Sequence, residues 1–355
     1  MAVSDCKLVD SPAWSRFPST RYQGSKRKLL GWVQAQLADL AYDRVLDAFS
    51  GTGAVSYLFK TLGKEVTCND LLASNRLIGQ ALIQNDGRRL APSALRRVLA
   101  RDPEVEYDDF VHRTFEGIYF TDCENAWIDV VVQNIGRLRG QANRALAYYG
   151  LFQACLVKRP YNLFHRRNLY MRTAKVARSF GNKATWDRSF AEHFERFVAQ
   201  VNGAVFDGGV PCRVTGYDAQ DVPGAFDLVY IDPPYVSGRG VGVDYLGFYH
   251  FLEGLADYRA WPDRVDYTSK HRRLMPQPNP WCSPKTNASA FARLFERFAD
   301  SILVVSYRSD GCPNLEALVG LMKRFKPRVE VVQARAYQYA LSKNRRSAEV
   351  LLIGR

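Results

Sequence analysis

The sequence lacks the long apolar segments of a membrane protein. No apolar run in its 355 residues reaches the roughly 18 residues that span a bilayer. The first ten residues, MAVSDCKLVD, contain two acidic side chains and no apolar core, so a secretory signal peptide is not expected. Seven cysteines, an odd number without a Cys-x-x-Cys pair, predict neither a disulfide framework nor a zinc site. Together these absences predict a cytoplasmic protein without a membrane partner or a bound metal.

Several motifs of large enzyme classes are also missing. The chain has no His-Glu-x-x-His, no Gly-x-Ser-x-Gly and no phosphate-binding P-loop. These patterns supply the zinc ligands, the serine nucleophile and the phosphate cradle of such enzymes. Hydrolase and NTPase functions therefore have no support. A content of 47% hydrophobic and 13% aromatic residues also excludes a disordered chain.

Acidic residues are in the minority, with 36 Asp and Glu against 49 Lys and Arg and a formal net charge of +13. Basic surface gains affinity for a polyanion because binding releases counterions from the phosphates. The charge is also unevenly distributed. Residues 158–188 contain nine Lys and Arg and one acid, whereas residues 101–129 contain nine acids and two arginines. This asymmetry predicts a binding face for a polyanion.

Short apolar, β-branched segments predict seven strands, and most are separated by helical stretches. The last two predicted strands flank the polar turn SKNRRS, which indicates a closing hairpin. Near-continuous apolar strands alternating with helices predict an α/β fold with a doubly wound, mostly parallel sheet covered on both faces. The predicted strands are residues 44–48, 65–69, 212–216, 226–231, 301–306, 329–337 and 348–353.

The regular alternation breaks in two places. Between about residues 83 and 202 the chain is helical in pattern, polar, and rich in Tyr and Arg. We interpret residues 83–205 as an inserted domain, and residues 1–82 and 206–355 as the domain that contains the sheet. The second irregular stretch, residues 261–287, holds five prolines and predicts a long surface loop.

The most informative short motif is Asp232-Pro-Pro-Tyr235, directly after the apolar strand LVYI. Ligands bind at the carboxyl ends of strands in a doubly wound sheet. Proline offers no N–H, so the carbonyls of this turn can face a ligand. A carboxylate beside a carbonyl matches the two hydrogens of an amino group, and the aromatic ring can stack on a base drawn out of a duplex. The alternative is a structural Pro-Pro turn with a solvated Asp.

A second motif, Asp47-Ala-Phe-Ser-Gly-Thr-Gly53, lies between the first strand and an apolar helix. Its glycines allow the backbone to approach a cofactor closely, as in nucleotide-binding folds. Asp70 follows at the end of the next strand, where an acid accepts hydrogen bonds from ribose hydroxyls. A dinucleotide site and a helix N-cap at Asp70 are the alternatives.

A third element, Arg21-Tyr-Gln-Gly-Ser-Lys26, precedes the first strand and by itself indicates only a basic turn. In the order RYQGSK, DAFSGTG, Asp70, basic insertion and DPPY, the chain resembles the Dam-like adenine-specific DNA methyltransferases. In that family an aromatic-x-Gly-Gly/Ser-Lys element, a Phe-x-Gly-x-Gly loop, an acid, a target-recognition insertion and Asp-Pro-Pro-Tyr follow one another. The resemblance extends from Arg21 to the C-terminus, and the order is more specific than any single element.

The resemblance implies a Rossmann-like, S-adenosylmethionine-dependent methyltransferase sheet of about seven strands with an inserted, mainly helical DNA-recognition domain. The implied function is site-specific transfer of a methyl group to the 6-amino group of adenine in duplex DNA, by base flipping. The enzyme would act in a restriction-modification system, with a cognate restriction endonuclease as partner, or as an orphan. We expect a bacterial or phage-encoded protein associated with the nucleoid, and a monomer or weak dimer.

Cofactor contacts are carried over from the family by motif position. Tyr22 and Lys26 would touch the methionine end of S-adenosylmethionine, and Asp70 would hold its ribose. Asp218, with Asp221 as an alternative, would contact the adenine amino group of the cofactor. Tyr22 stands where the Dam enzymes commonly carry Trp, but an aromatic ring is kept. The other implied cofactor residues are Asp47, Phe49, Gly51, Gly53 and Asp232.

The catalytic residues implied by the resemblance are Asp232, Pro233 and Tyr235. Asp232 and the carbonyl of Pro233 would hold the two amine hydrogens, and Tyr235 would stack on the flipped adenine. Amino-methylation of cytosine uses the same chemistry, but those enzymes usually carry Ser in place of Asp232. A non-catalytic DNA-binding protein on a methyltransferase fold and a dinucleotide-dependent dehydrogenase are the remaining hypotheses.

DNA contacts are expected from the basic insertion. The segment RPYNLFHRRN, residues 159–168, resembles the Tyr-Asn-containing segment that precedes target contacts in the family. Arg and Asn are the side chains that read guanine and adenine edges, although most basic residues contact phosphates. A solvated basic face is the alternative. The expected DNA-binding residues are Arg159, Arg166, Arg167, Asn168, Arg172 and Lys175.

Overall fold

The computed structural model describes residues 12–174, 183–334 and 347–355. Within these ranges seven strands form one sheet in the order β3-β2-β1-β4-β5-β7-β6. The first five strands run parallel, and β7 is antiparallel to both β5 and β6. The strands are β1 Arg44–Asp47, β2 Glu65–Asn69, β3 Arg213–Thr215, β4 Leu228–Ile231, β5 Ile302–Arg308, β6 Val329–Gln333 and β7 Glu349–Gly354.

Each predicted strand is present. The second has the predicted bounds, and the ends of the others are shifted by up to four residues. The sixth is shorter than predicted because β6 ends at Gln333. Residues 335–346, which contain the last three residues of that predicted strand and nearly all of the SKNRRS turn, lie outside the described residues. The predicted fold class, a Rossmann-like α/β sheet of seven strands, is confirmed.

Successive residues of the central strands pack into two separate apolar cores, one on each face of the sheet. Val45 and Leu228 belong to one core, whereas their neighbours Leu46 and Val229 belong to the other. A strand that is buried on both faces must be apolar throughout, which explains the uninterrupted sequence LVYI in β4. Strands β2 and β4 flank β1, so the strand order reverses there and opens a crevice at the carboxyl ends.

Helices cover both faces of this sheet and make up the insertion. In the described part of the chain eight of them, α3–α10, lie between β2 and β3, and α4–α10 belong to the insertion. The helices are α1 Leu30–Leu37, α2 Ala54–Thr61, α3 Ala73–Gly79, α4 Pro92–Leu99, α5 Phe110–Thr114, α6 Asp122–Gly136, α7 Gln141–Val157, α8 Tyr170–Thr173, α9 Lys183–Asp187, α10 Phe190–Ala204, α11 Tyr245–Ala256, α12 Trp261–Arg264, α13 Asn287–Arg297 and α14 Leu315–Met322. Across the described ranges, no helix is both long and apolar enough to cross a membrane.

The insertion is built on two well-capped helices that pack against a buried one. Thr121 and Ser189 each form a capping box at the start of α6 and α10. Helix α7 is buried along its second half and packs on α10, where Gly150 allows the close approach of Val198. The insertion shares one apolar core with a face of the sheet, and the Tyr57 hydroxyl donates to the carbonyl of Ala204. A separately folding domain at residues 83–205 therefore stays a prediction.

Candidate active site

A cavity of about 700 Å³ opens at the carboxyl ends of β1, β2 and β4. It brings together residues that are far apart in the sequence, as expected for a switch point of a doubly wound sheet. All of the predicted cofactor and catalytic residues line it, except Gly53. They are Tyr22, Lys26, Asp47, Phe49, Gly51, Asp70, Asp218, Asp232, Pro233 and Tyr235.

The loop after β1 depends on two glycines. Gly51 and Gly53 have φ angles of 51° and 75°, which disfavour residues with a Cβ. Gly53 is the N-cap of α2, so it shapes the loop without lining the cavity. The amide of Gly51 donates to Asp70 Oδ2 over 2.8 Å. This hydrogen bond connects the carboxyl ends of β1 and β2 at the cavity.

Asp70 is not the N-cap of the helix that follows it. The amides of Ala73 and Ser74 at the start of α3 donate instead to Glu253 of α11, over 2.8 and 3.0 Å. Asp70 Oδ1 accepts from the amide of Leu72 over 2.9 Å. Burial raises the pKa of the Asp70 carboxyl to about 6, although these amide hydrogen bonds oppose it. The side chain of Asn75 donates to Asp70 Oδ2 as well, so the carboxylate accepts three hydrogen bonds and keeps acceptor capacity for one more at the cavity.

Asp47 presents an oxygen that has no hydrogen-bond partner among the described residues. Its Oδ2 accepts from the amide and the hydroxyl of Ser56, over 3.1 and 2.7 Å, but Oδ1 is unpaired. The residue is only 1% exposed, and burial raises the pKa of its carboxyl to about 7. A buried, unpaired acceptor is costly. Together with the glycine loop, it fits a ligand that carries a hydrogen-bond donor.

The buried amine of Lys26 lies at the centre of the polar contacts around Asp232. Its Nζ lies 2.8 Å from Asp232 Oδ2 and 3.2 Å from Glu349 Oε1, and it donates to the Tyr235 hydroxyl over 2.8 Å. The side chain of Lys26 is only 5% exposed. Burial lowers the pKa of this amine, but Asp232 and Glu349 outweigh burial and raise it well above the usual range. Lys26 is therefore charged.

The Tyr235 hydroxyl has two carboxylates within reach and one hydrogen to donate. It lies 2.7 Å from Asp232 Oδ1 and 2.9 Å from Glu349 Oε1. Burial raises the pKa of Asp232, Lys26 lowers it, and Glu349 raises it further. The Tyr235 ring packs edge-on against Tyr307 and lies 4.9 Å from the Lys26 amine. The hydroxyl and the ring of Tyr235 are thus both held in place.

Glu349 was not among the residues predicted from the sequence. It is fully buried at the start of β7, and its carboxylate also accepts from the Ser306 hydroxyl on β5. Charged side chains are almost never fully buried unless they are paired. An acid at the head of the apolar strand EVLLIG was the available signal, but its partners are far away in sequence.

Aromatic rings close two sides of the cavity. Tyr22 stacks on Tyr249 and Tyr245 of α11, with ring centroids 4.2 and 5.7 Å apart. Phe49 of the glycine loop packs edge-on against Trp281, with a centroid separation of 4.8 Å. Trp281 belongs to the proline-rich stretch predicted as a surface loop, so part of that loop forms a wall of the cavity. The sequence contained no signal for this contact.

Residues 22–259 match the family described as D12 class N6 adenine-specific DNA methyltransferase. The match covers more than half of the chain and includes the RYQGSK element from Tyr22 onward, the DAFSGTG loop, Asp70, the basic insertion and DPPY. The chain belongs to this family. Adenine methylation of DNA is therefore its activity, and the family implies S-adenosylmethionine as the methyl donor.

Three curated type II methyltransferases are similar to this D12 class chain. M2.HphI of Haemophilus parahaemolyticus is 26% identical, over 90% of this chain and 91% of its own length. M.NlaIII of Neisseria lactamica is 25% identical, over 86% of this chain and 88% of its own length. M.FokI of Planomicrobium okeanokoites is 23% identical over 93% of this chain, which spans only 51% of the length of M.FokI.

The predicted DNA-contacting residues of this methyltransferase divide into buried and exposed ones. Arg159 is 1% exposed, and its guanidinium donates to the carbonyls of Leu163 and Arg166, over 3.2 and 2.9 Å. Arg159 therefore holds the loop of residues 159–167 from inside. The expectation that it contacts DNA does not fit this position. Burial also lowers the pKa of its guanidinium to about 9.

Two other predicted DNA contacts of the methyltransferase also point inward. Asn168 is only 6% exposed, and Arg172 pairs with Glu124 over 2.6 Å beside Lys158. Arg166 and Arg167 are exposed, as a DNA contact requires. Lys175 lies outside the described residues. The loop also exposes Tyr161, which has a φ of 62° that few non-glycine residues adopt. The sequence analysis did not predict an exposed aromatic residue here.

Proposed function

We propose that adenine methylation by this chain takes place in the cavity at the end of β1 and β4, on an adenine flipped out of duplex DNA at a specific sequence. The observation that carries the proposal is the position of Asp232. Its carboxylate lies at a strand end, beside Pro233 and in the same cavity as the glycine loop and Asp70. A carboxylate that must accept the hydrogens of an amino group belongs next to the site of the methyl donor.

We infer that S-adenosylmethionine is held by the residues predicted from its family. When bound, it supplies a methyl group on a sulfonium, which is already a good electrophile. The unpaired Oδ1 of Asp47 is a suitable acceptor for an amino group, and Asp70 has acceptor capacity left for a ribose hydroxyl. Phe49 and Asp218, which also line the cavity, suit the adenine of the cofactor.

The chain's own catalytic contribution is positioning. The adenine amine is a poor nucleophile because its lone pair is conjugated into the ring. If Asp232 and the Pro233 carbonyl accept its two hydrogens, the nitrogen becomes pyramidal and its lone pair is directed to one side. This is catalysis by orientation and electrostatics. The proton leaves after transfer, when the nitrogen is far more acidic.

Lys26 and Glu349 influence whether Asp232 is ionised and whether its oxygens are available as hydrogen-bond acceptors. Burial alone favours a protonated Asp232, which would lose acceptor capacity, and Lys26 opposes this. Glu349 offers the Tyr235 hydroxyl a second acceptor. When the hydroxyl donates to Glu349, Asp232 Oδ1 becomes available to the adenine amine. Glu349 is therefore a positioning residue.

The test is to express the chain in a methylation-free host and to map modified bases by single-molecule sequencing. We expect N6-methyladenine at one short sequence, and none with Asp232→Ala. Modified cytosine instead would favour cytosine amino-methylation. No modification, together with no binding of S-adenosylmethionine by calorimetry, would favour a non-catalytic DNA-binding protein and overturn the proposal.

We also infer a restriction endonuclease that cuts the same sequence, because the similar curated proteins are named as type II methyltransferases. DNA modified by this chain should then resist cleavage in a lysate of the source organism, while unmodified DNA is cut at the mapped sequence. Equal cleavage, or none, of both DNAs would favour an orphan methyltransferase.

A further inference from the structure

A short basic hairpin, residues 264–275, projects from the proline-rich stretch. Val265 and Leu274 form an antiparallel bridge, and the amide of Asp266 donates to the carbonyl of Arg273 over 2.8 Å. Val265 and Leu274 are buried in the main core, so the base of the hairpin is anchored. The hairpin begins after residue 259, where the family match ends. The matched region therefore does not include the hairpin.

The hairpin has the composition of a nucleic-acid contact. Four of its residues are basic and one is acidic, which gives a charge of +3 with His neutral. Lys270 is exposed and forms no hydrogen bond or ion pair within the described part of the chain. Tyr267 is 53% exposed at the tip, beside the guanidinium of Arg272. Exposed cations with an aromatic ring suit phosphates and bases.

The hairpin also lies in the right place. Its first residue, Arg264, lines the catalytic cavity, as do Gln277 and Asn279 just after it. Its tip packs against the insertion, because the Tyr119 hydroxyl lies 2.9 Å from the carbonyl of His271 and 2.5 Å from that of Phe164. Phe164 belongs to the loop that exposes Arg166 and Arg167. The hairpin therefore bridges the mouth of the cavity and the basic insertion.

Internal contacts hold the tip in one conformation. The side chain of Arg272, with a φ of 54°, donates to the carbonyl of Tyr267. Arg273 pairs with Asp266 over 3.2 Å. The Thr268 hydroxyl donates to Asp266 over 2.5 Å. A preorganised tip loses less conformational entropy on binding.

We propose that the hairpin of residues 264–275 is a second DNA-contacting element, which enters the major groove beside the target adenine. The proposal rests on the proposed function, since it assumes that the target adenine enters the cavity. A two-stranded β-ribbon fits the major groove. Lys270 contacts a phosphate, and Tyr267 contacts the bases next to the target.

The experiment uses the full chain, S-adenosylmethionine and duplexes that contain either the mapped sequence or a scrambled one. Lys270→Ala is compared with Lys323→Ala, which also removes an exposed charge, just after α14 and outside the lining of the cavity. We expect Lys270→Ala to weaken binding of both duplexes about fivefold and to reduce the salt slope by about one. Lys323→Ala should behave as the wild type.

Tyr267→Ala tests the base contact. We expect roughly tenfold weaker discrimination between mapped and scrambled duplexes, within the range of a lost base contact. Its affinity for S-adenosylmethionine and its Tm should be unchanged. Hydrogen exchange of residues 264–275 should slow when duplex is added to the wild type, whereas exchange of residues 315–324 should not.

Three results would overturn the hairpin proposal: equal effects of Lys270→Ala and Lys323→Ala, unchanged discrimination in Tyr267→Ala, or no protection of the hairpin by duplex. A failure of the proposed function can be distinguished from a failure of the hairpin proposal, because a different measurement tests it. A wild-type chain that produces no N6-methyladenine would contradict that function, while binding and exchange would still test the hairpin.

Discussion

The amine of Lys26 and the carboxylate of Glu349 lie 3.2 Å apart, although almost the whole chain separates them. Lys26 follows the turn before the first helix, and Glu349 begins the last strand. Both contact Tyr235, and Lys26 also contacts Asp232. Two buried carboxylates therefore share one buried cation. In the proposed function, the balance between them sets how freely Asp232 can accept the target amine.

Asp232→Ala should abolish methyl transfer without unfolding the protein, because the side chain lies at the cavity and is not part of the apolar core. Turnover should fall more than tenfold, a loss above about 1.4 kcal/mol in activation free energy. The measurement is single-turnover methylation with affinity for duplex as the control. A variant that keeps a tenth of wild-type turnover would contradict the role of Asp232.

Glu349→Gln should lower kcat and move the acid limb of the kcat–pH profile to lower pH. Glu349 raises the pKa of Asp232, so its neutralisation lowers that pKa, and Asp232 stays ionised to a lower pH. Among the described residues, the other titratable groups facing Asp232 are Lys26, Asp47, Tyr230, Tyr235 and Tyr245, and the variant leaves them in place.

Glu330→Gln is the matched control for this pH profile. Glu330 lies on β6 of the same sheet and pairs only with Arg328 and Arg355 among the described residues. Its neutralisation should change neither kcat nor the profile. A lower kcat in Glu349→Gln without a shift of the acid limb would indicate a structural role for Glu349 alone.

Tyr235→Ala should damage catalysis more than Tyr235→Phe or Tyr235→Trp. A ring face stacks on a base with roughly 1–3 kcal/mol, and only the alanine variant loses the ring. The phenylalanine variant should still lose some activity, because the hydroxyl contacts Lys26, Asp232 and Glu349. The measurement is kcat for all three variants. Equal losses would show that the phenol, and not stacking, is what matters.

Asp47→Asn should flatten the pH dependence of stability in the absence of ligands. The folded-state pKa of Asp47 is raised to about 7 from 3.8, so the folded state binds more protons and loses stability as pH rises through this window. From pH 5 to pH 8, the free energy of unfolding of the variant should therefore rise by at least about 1 kcal/mol relative to that of the wild type. Urea unfolding of both proteins at both pH values measures this difference. If the stability of the variant and that of the wild type change equally with pH, the raised pKa of Asp47 is contradicted.

Arg159→Ala and Arg167→Ala should distinguish a structural role from a DNA-binding role within one loop. Arg159 is buried and donates to backbone carbonyls, so its loss should lower the Tm. It should also weaken duplex binding, because the loop then loses its conformation. Arg167 is exposed, so its loss should leave the Tm unchanged and reduce the salt slope of binding by about one. Thermal unfolding and affinity against salt check both. An unchanged Tm for Arg159→Ala would contradict its structural role.

The sequence by itself determined the strands, the sheet class and the order of the motifs. These follow from local signals, namely β-branched apolar runs, glycines where φ must be positive, and acids at strand ends. The positions of Gly51, Asp70 and Asp232 around one cavity were therefore predictable, because parallel strands place their carboxyl ends at the same edge.

Only the tertiary structure decided which charged side chains are buried and what they contact. Arg159 and Arg167 look alike in a basic segment, yet packing of the insertion buries one and exposes the other. Glu349 joins the site because β7 inserts between β5 and β6, and Trp281 reaches Phe49 because its loop folds over the cavity. Such contacts join residues tens to hundreds of positions apart, and they depend on how the elements pack rather than on any local pattern.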